Sequence, residues 1–152
     1  MKDKNMKYLL TLLTLGLFAA AAVAADKPDT RLFEMRIYYA KPGKLDALNA
    51  RFRDHTLKLF EKHGMTNVTY WILADDQKGA KNSYAAGNTL IYLLTHRSEA
   101  AAKASFDAFR ADPVWIAAKE ASEKKAGGSL TIPQPNGVKS EFLVPTDYSP
   151  VK

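Results

Sequence analysis

An α+β protomer built on one antiparallel sheet is the fold this sequence predicts, and three observations predict it. Four segments carry β-branched and aromatic residues in strand-like rows, two longer segments repeat apolar residues at helical spacing, and the second and third strands follow one another with only a loop between them. The resulting order is β-α-β-β-α-β, the ferredoxin-like arrangement, with both helices on one side of the sheet.

The first strand lies in "LFEMRIYYAKPGK" (Leu32–Lys44), where Phe33, Met35, Ile37 and Tyr39 alternate with Glu34, Arg36 and Tyr38. Pro42-Gly43 breaks that alternation. Lys44 to His63 then reads as a helix: Leu45, Leu48, Phe52, Thr56, Leu59, Phe60 and His63 fall in one stripe about 120° wide, and Asp46, Arg53, Asp54, Lys58 and Glu61 lie opposite. Gly64 is placed to end it.

Thr66 to Ala74 is the second strand, and the fourteen polar and small residues of "DDQKGAKNSYAAGN" form a loop before the third, Thr89 to Thr95. Ser98 is a candidate N-cap for a second helix with Glu99 in its first turn and Ala102, Phe106 and Phe109 as its apolar stripe. Asp112-Pro113 interrupts that helix, "VWIAAKEASEKKAGG" offers another turn or two, and Gly127-Gly128 stops it. A proline-containing link, "TIPQPNG", leads to the last strand, "VKSEFLV", and an extended tail, "PTDYSPVK".

Ahead of these elements, Lys2, Lys4 and Lys7 precede the uncharged run "YLLTLLTLGLFAAAAV" and the small residues "AVAAD". This is the pattern of a secretory signal peptide, residues 1–24, cleaved after Ala24 or Ala25. The strongly apolar part, Tyr8 to Phe18, falls short of the roughly 20 residues that span a bilayer. The expectation is an exported protein, periplasmic or secreted, with one domain over residues 30–150 and no membrane attachment after cleavage.

Removing residues 1–24 leaves 19 basic and 15 acidic residues, a net charge of +4 without a basic run, which argues against a nucleic-acid partner. With no cysteine there is no disulfide and no thiol chemistry, so stability rests on packing. Nothing resembling GxSxG or a Gly-rich phosphate loop is present, no His/Asp/Glu spacing calls for a metal, and no cofactor is indicated.

The middle strands are apolar on both faces: Val68, Tyr70 and Ile72 oppose Trp71 and Leu73, and Leu90, Tyr92 and Leu94 oppose Ile91 and Leu93. Two helices cover one face of a four-stranded sheet, and the other would exceed the few hundred Å² of apolar patch that a soluble monomer tolerates. A homodimer, sheet to sheet, is therefore expected, with the flank bearing Glu34 sheltered by the second copy.

Five stretches in order, "FEMRIYYAKPGKLDAL", "HTLKLFEKHG", "NTLIYLLTHRS", "SFDAFRADPVW" and "FLVPTDYSP", together resemble the NIPSNAP family from about Phe33 to Pro150. The resemblance implies the dimeric α/β-barrel superfamily, in which ferredoxin-like protomers pair their sheets and hold ligands between sheet and helices. Superfamily relatives include cofactor-free monooxygenases and small-molecule isomerases, but the family itself implies little chemistry. In "ADPVW" the resemblance makes Asp112, Pro113 and Trp115 architectural.

Two readings of function follow. One is a module that binds a small hydrophobic or aromatic ligand, or a protein partner, without chemistry. The other is a cofactor-independent enzyme, a monooxygenase or isomerase acting on an activated aromatic molecule, with His55 or His63 as base beside Tyr38 and Arg36. Arg36 either anchors a carboxylate or phosphate or pairs with Glu34. His63 is a buried base or a helix C-cap, and His55 sits at a helix edge able to face a cleft. His96 reads as part of a strand-to-helix corner. Trp71 and Tyr92 are ligand-contact candidates or core. An enclosed cavity with His55 or His63 beside Arg36 would favour catalysis.

Overall fold

The computed structural model describes residues 31–74 and 87–152. The expected signal peptide and most of the loop after the second strand lie outside the described residues. Strands β1 (Leu32–Tyr39), β2 (Thr66–Ile72), β3 (Thr89–His96) and β4 (Val138–Leu143) form one antiparallel sheet in the order β2-β3-β1-β4. That is the ferredoxin-like topology the element order predicts. Register across the centre is continuous, with Glu34 opposite Leu94 and Phe142, and Arg36 opposite Tyr92 and Ser140.

The first helical segment is helix α1 (Leu45–Arg51), a π-helical turn (Phe52–Thr56) and helix α2 (Leu57–Lys62) in unbroken succession. The wide turn lets the Thr56 hydroxyl donate to the Arg51 carbonyl at 3.2 Å, five residues back. The expected stripe faces the core: Leu48, Phe52, Thr56 and Phe60 are buried, and Arg51, a residue the apolar pattern passes over, is buried with them. Gly64 adopts φ 78° just past the helix end, a conformation open to glycine at no steric cost.

Helix α3 (Glu99–Ala111) starts where expected, with the Ser98 hydroxyl accepting from the Ala101 amide at 3.1 Å. Asp112 ends it and caps α4 (Pro113–Lys125), its Oδ1 accepting from the Val114 amide at 2.8 Å. The segment after Pro113 is thus a 13-residue helix, longer than the turn or two its composition predicts. Only Ala118 of α4 is buried, so the helix owes its length to its caps more than to an apolar face.

The helices pack on the face carrying Glu34, Arg36 and Tyr38. Tyr38 meets Phe52 edge-on at 5.6 Å, and the Arg36 guanidinium lies 4.3 Å from the Phe106 ring centre. This corrects the expectation that a second copy shelters the Glu34 flank. The polar row turns inward because its members satisfy one another. The row that turns away is the apolar one, with Met35 opposite Leu93 and Ile37 and Trp71 opposite Ile91.

Between sheet and helices lies an aromatic core of Phe52, Phe60, Tyr92, Phe106 and Phe109, linked by edge-on and tilted contacts of 4.9–6.5 Å, with Leu48, Met65, Leu94 and Leu130 filling the gaps. The link from α4 to β4 is held to β1 by backbone hydrogen bonds from Ile132 to the Tyr39 carbonyl (2.9 Å) and from Tyr39 to the Gly137 carbonyl (3.0 Å). Gly137 presses on that link so closely that a Cβ there would sit 1.8 Å from the Ile132 carbonyl oxygen.

Candidate functional site

β1 places Glu34, Arg36 and Tyr38 in one row under α3, and the neighbouring strands add Tyr92, His96 and Ser140. Glu34 is the hub. Its Oε1 accepts from Arg36 Nη1 and from the Ser140 hydroxyl, each at 2.5 Å, and its Oε2 accepts from His96 Nε2 at 2.8 Å. Glu34 and His96 are 2% and 4% exposed. Burial works to raise the Glu34 pKa, but the His96 hydrogen bond, the Arg36 charge and the Ser140 hydrogen bond together bring it below the ordinary carboxylate value. An ionised Glu34 fixes the proton of His96 on Nε2; its Nδ1 is buried without a hydrogen-bond partner among the described residues.

Arg36 also donates from Nε to the Tyr92 hydroxyl at 3.1 Å and stacks over Phe106. Burial pulls against its charge, and the surrounding Tyr92, Tyr38 and Glu34 outweigh that, moving its pKa upward; the guanidinium stays charged. Tyr92, fully enclosed, has its phenol pushed well above the ordinary value by burial and by Tyr38, so it is a neutral hydrogen-bonding group.

Arg36 and Tyr38 open into a cleft of about 650 Å³ between β1, β4, α3 and α4. Phe106, Phe109, Trp115 and Ile116 wall it, and Arg110 and Lys119 stand with Glu120 at the helical side. Arg36 Nη2 makes no hydrogen bond among the described residues, which leaves one face of the fork for a ligand acceptor. The cleft thus offers an apolar, ring-rich wall with a held cation at its base.

Of the residues singled out in the sequence, Arg36, Tyr38, Glu34 and Tyr92 come together here. The other three do not. His63 caps α2 and binds Asp112 Oδ2 through Nε2 at 2.7 Å, beside Lys62 Nζ at the same distance. Those two partners, with the Val114 amide, hold the Asp112 carboxyl well below the usual range. His55 is exposed and faces a separate cleft between α1 and α4. Trp71 is half exposed on the opposite pleat of β2 from Tyr70, which stacks on Tyr92 at 5.2 Å. Nothing local in the sequence marks Ser140, while His96 is marked by its even spacing from Tyr92 and Leu94, which puts it on the helix-facing row rather than at a mere corner.

The NIPSNAP family model matches residues 33–150. The chain belongs to the NIPSNAP family. Solved structures of similar proteins include a NIPSNAP-family protein of unknown function from Agrobacterium tumefaciens (16% identity, 83% of this chain and 97% of that one, TM-score 0.60). A NIPSNAP-like domain protein from Burkholderia xenovorans (14% identity, 80% and 90%, TM-score 0.61) and a second from the same organism (20%, 78% and 98%, TM-score 0.56) are also similar. At these identities the likeness speaks for a shared NIPSNAP fold. No curated protein matches the sequence.

Proposed function

We propose that this NIPSNAP protein binds a small aromatic or hydrophobic molecule in the cleft above Arg36, using the guanidinium to orient a carboxylate or other oxygen acceptor. The observation that supports it is a charged, hydrogen-bonded Arg36 with a free Nη2 at the base of a ring-walled cleft of about 650 Å³, a volume within the range of small-molecule sites. A reading as a cofactor-independent enzyme needs a base in the same cleft. Neither His55 nor His63, the bases that reading names, lines it, and the His96 Nδ1 that lacks a hydrogen bond among the described residues is enclosed, so the geometry supports binding over that form of catalysis.

Native mass spectrometry of protein purified from its own source tests this by the mass of a co-purifying ligand. An aromatic anion such as anilinonaphthalene sulfonate serves as a surrogate. Arg36→Met should weaken it by about 10- to 100-fold, the worth of one charge-assisted hydrogen bond. Equal affinity in both proteins would count against the proposal.

The same reading has residues 1–24 removed on export and two copies paired through the sheet face that carries Met35, Ile91, Leu93 and Trp71. What supports pairing is that this face is apolar while the polar row is turned inward. What supports export is the order of lysines, apolar run and small residues at the start of the chain. Among the described residues no helix is long and apolar enough to cross a membrane.

A further inference from the structure

The second cleft, of about 370 Å³, lies on the other side of α4, between it and α1. Its walls are alanines, among them Ala47, Ala50, Ala118 and Ala121, which bring two helices together without filling the space between them. Arg51, Asp54, His55, Ser122 and Lys125 complete the lining, and of these Arg51 is the buried one. Only 5% of Arg51 is exposed, yet its Nε and Nη1 are buried without a hydrogen bond among the described residues. The nearest acid is Glu123, whose Oε1 stands 3.5 Å from Nη1, and the guanidinium lies 5.2 Å from the Trp115 ring centre.

A buried cation is stable only when its donors are met. One long ion pair and a ring face leave the Nε and Nη1 donors unmet among the described residues. Burial pulls the Arg51 pKa below its ordinary value, and Glu123 offsets only part of that, so the site as folded favours an added negative partner. Arg51 also ends α1 immediately before the π-helical turn, and the Thr56 hydroxyl ties down its carbonyl, so its backbone is fixed. Turns of this kind recur at binding sites.

We infer that the α1–α4 cleft is a second ligand site, in which Arg51 takes the carboxylate of a short apolar monocarboxylic acid and the alanine walls take its hydrocarbon tail. The alanine lining selects an apolar body over a bare oxyanion. Lys125 stands at the cleft and adds to the attraction; Asp54 is exposed, where solvent screens its repulsion. His55, exposed on the turn after Arg51, lines the same cleft and supplies a further donor for the acid.

Titration of the purified protein with butyrate, followed by the Arg51 Nε–H signal in nitrogen–proton spectra, tests the assignment. Saturable shifts at Arg51, Ala50 and Ala121 are expected with butyrate and absent with butanol. Affinity should fall at least about tenfold in Arg51→Met. Should Arg51→Met fail to fold, Ala121→Leu, which narrows the cleft and leaves the guanidinium in place, should abolish the shifts. The inference is overturned if butyrate gives no saturable shift at millimolar concentrations, if butanol binds as well, or if inorganic phosphate binds and butyrate does not. It is equally overturned if Ala121→Leu binds as the parent does.

Discussion

At the scale of single residues, Glu34 joins three elements of the buried polar row. It accepts from Arg36, Ser140 and His96 in a space almost closed to water. Glu34→Gln keeps the shape and removes the charge, leaving Arg36, 14% exposed at its side chain, without its counter-ion. The expected loss is about 3 kcal/mol in urea denaturation, the scale at which one half of a buried pair is removed. Glu34 and Asp112 both titrate below the ordinary carboxylate range in the folded chain. The stability they supply is therefore complete well above about pH 4, where unfolded carboxylates titrate, and is lost as pH falls below it. Thermal unfolding followed from pH 7 to pH 3 should show that decline, and Asp112→Asn should flatten it.

The polar row was legible in the sequence as a row, but not its direction. Glu34, Arg36 and Tyr38 share one side of a strand by simple alternation, and alternation alone leaves open which side meets the helices. The usual inference puts charge toward solvent or a partner. Here the partners that invert it, His96 and Ser140, are 62 and 106 residues away from Glu34, beyond any local pattern. Arg51 gives no signal for a related reason: at helical spacing it falls about 60° outside the apolar stripe, where a charged residue reads as facing solvent.

Among elements, the signals that held were those of local chemistry. Ser98 caps α3, Asp112 and Pro113 end it and begin α4, and Trp115 anchors the corner by packing 4.4 Å from Phe109. Ser98→Ala should cost about 1 kcal/mol, measured by chemical denaturation, because one amide of the first turn loses its acceptor. The π-helical turn left no such trace. Its residues, Phe52 to Thr56, fit a regular helix equally well, and the wider turn shows in the structure, where the Leu57 amide donates to the Phe52 carbonyl and the Thr56 hydroxyl to that of Arg51, each five residues back.

For the molecule as a whole, the sheet separates two tasks. One face holds the core and the Arg36 cleft, and the other presents Met35, Ile91, Leu93 and Trp71. If two copies meet there, Leu93→Arg should convert a dimer to a monomer in light scattering while leaving the circular dichroism spectrum unchanged, since charges on a buried apolar interface are costly and the side chain lies on the opposite face of the sheet from the core aromatics. A mass equal to one chain for the unaltered protein would remove the pairing. The βαββαβ order was readable because each element announces itself over a few residues. Which face turns away from the helices is a property of the assembled sheet, and no single strand states it.

Gly137 gives the larger design an inheritance rule. With only a hydrogen atom between it and the neighbouring carbonyl, that position has no room for a side chain, whereas Gln134, earlier in the same link, lines the cleft. Descendants of this chain can therefore retune what the cavity prefers by exchanging its rim, while the seam that sets the strand beneath it stays locked by the smallest amino acid.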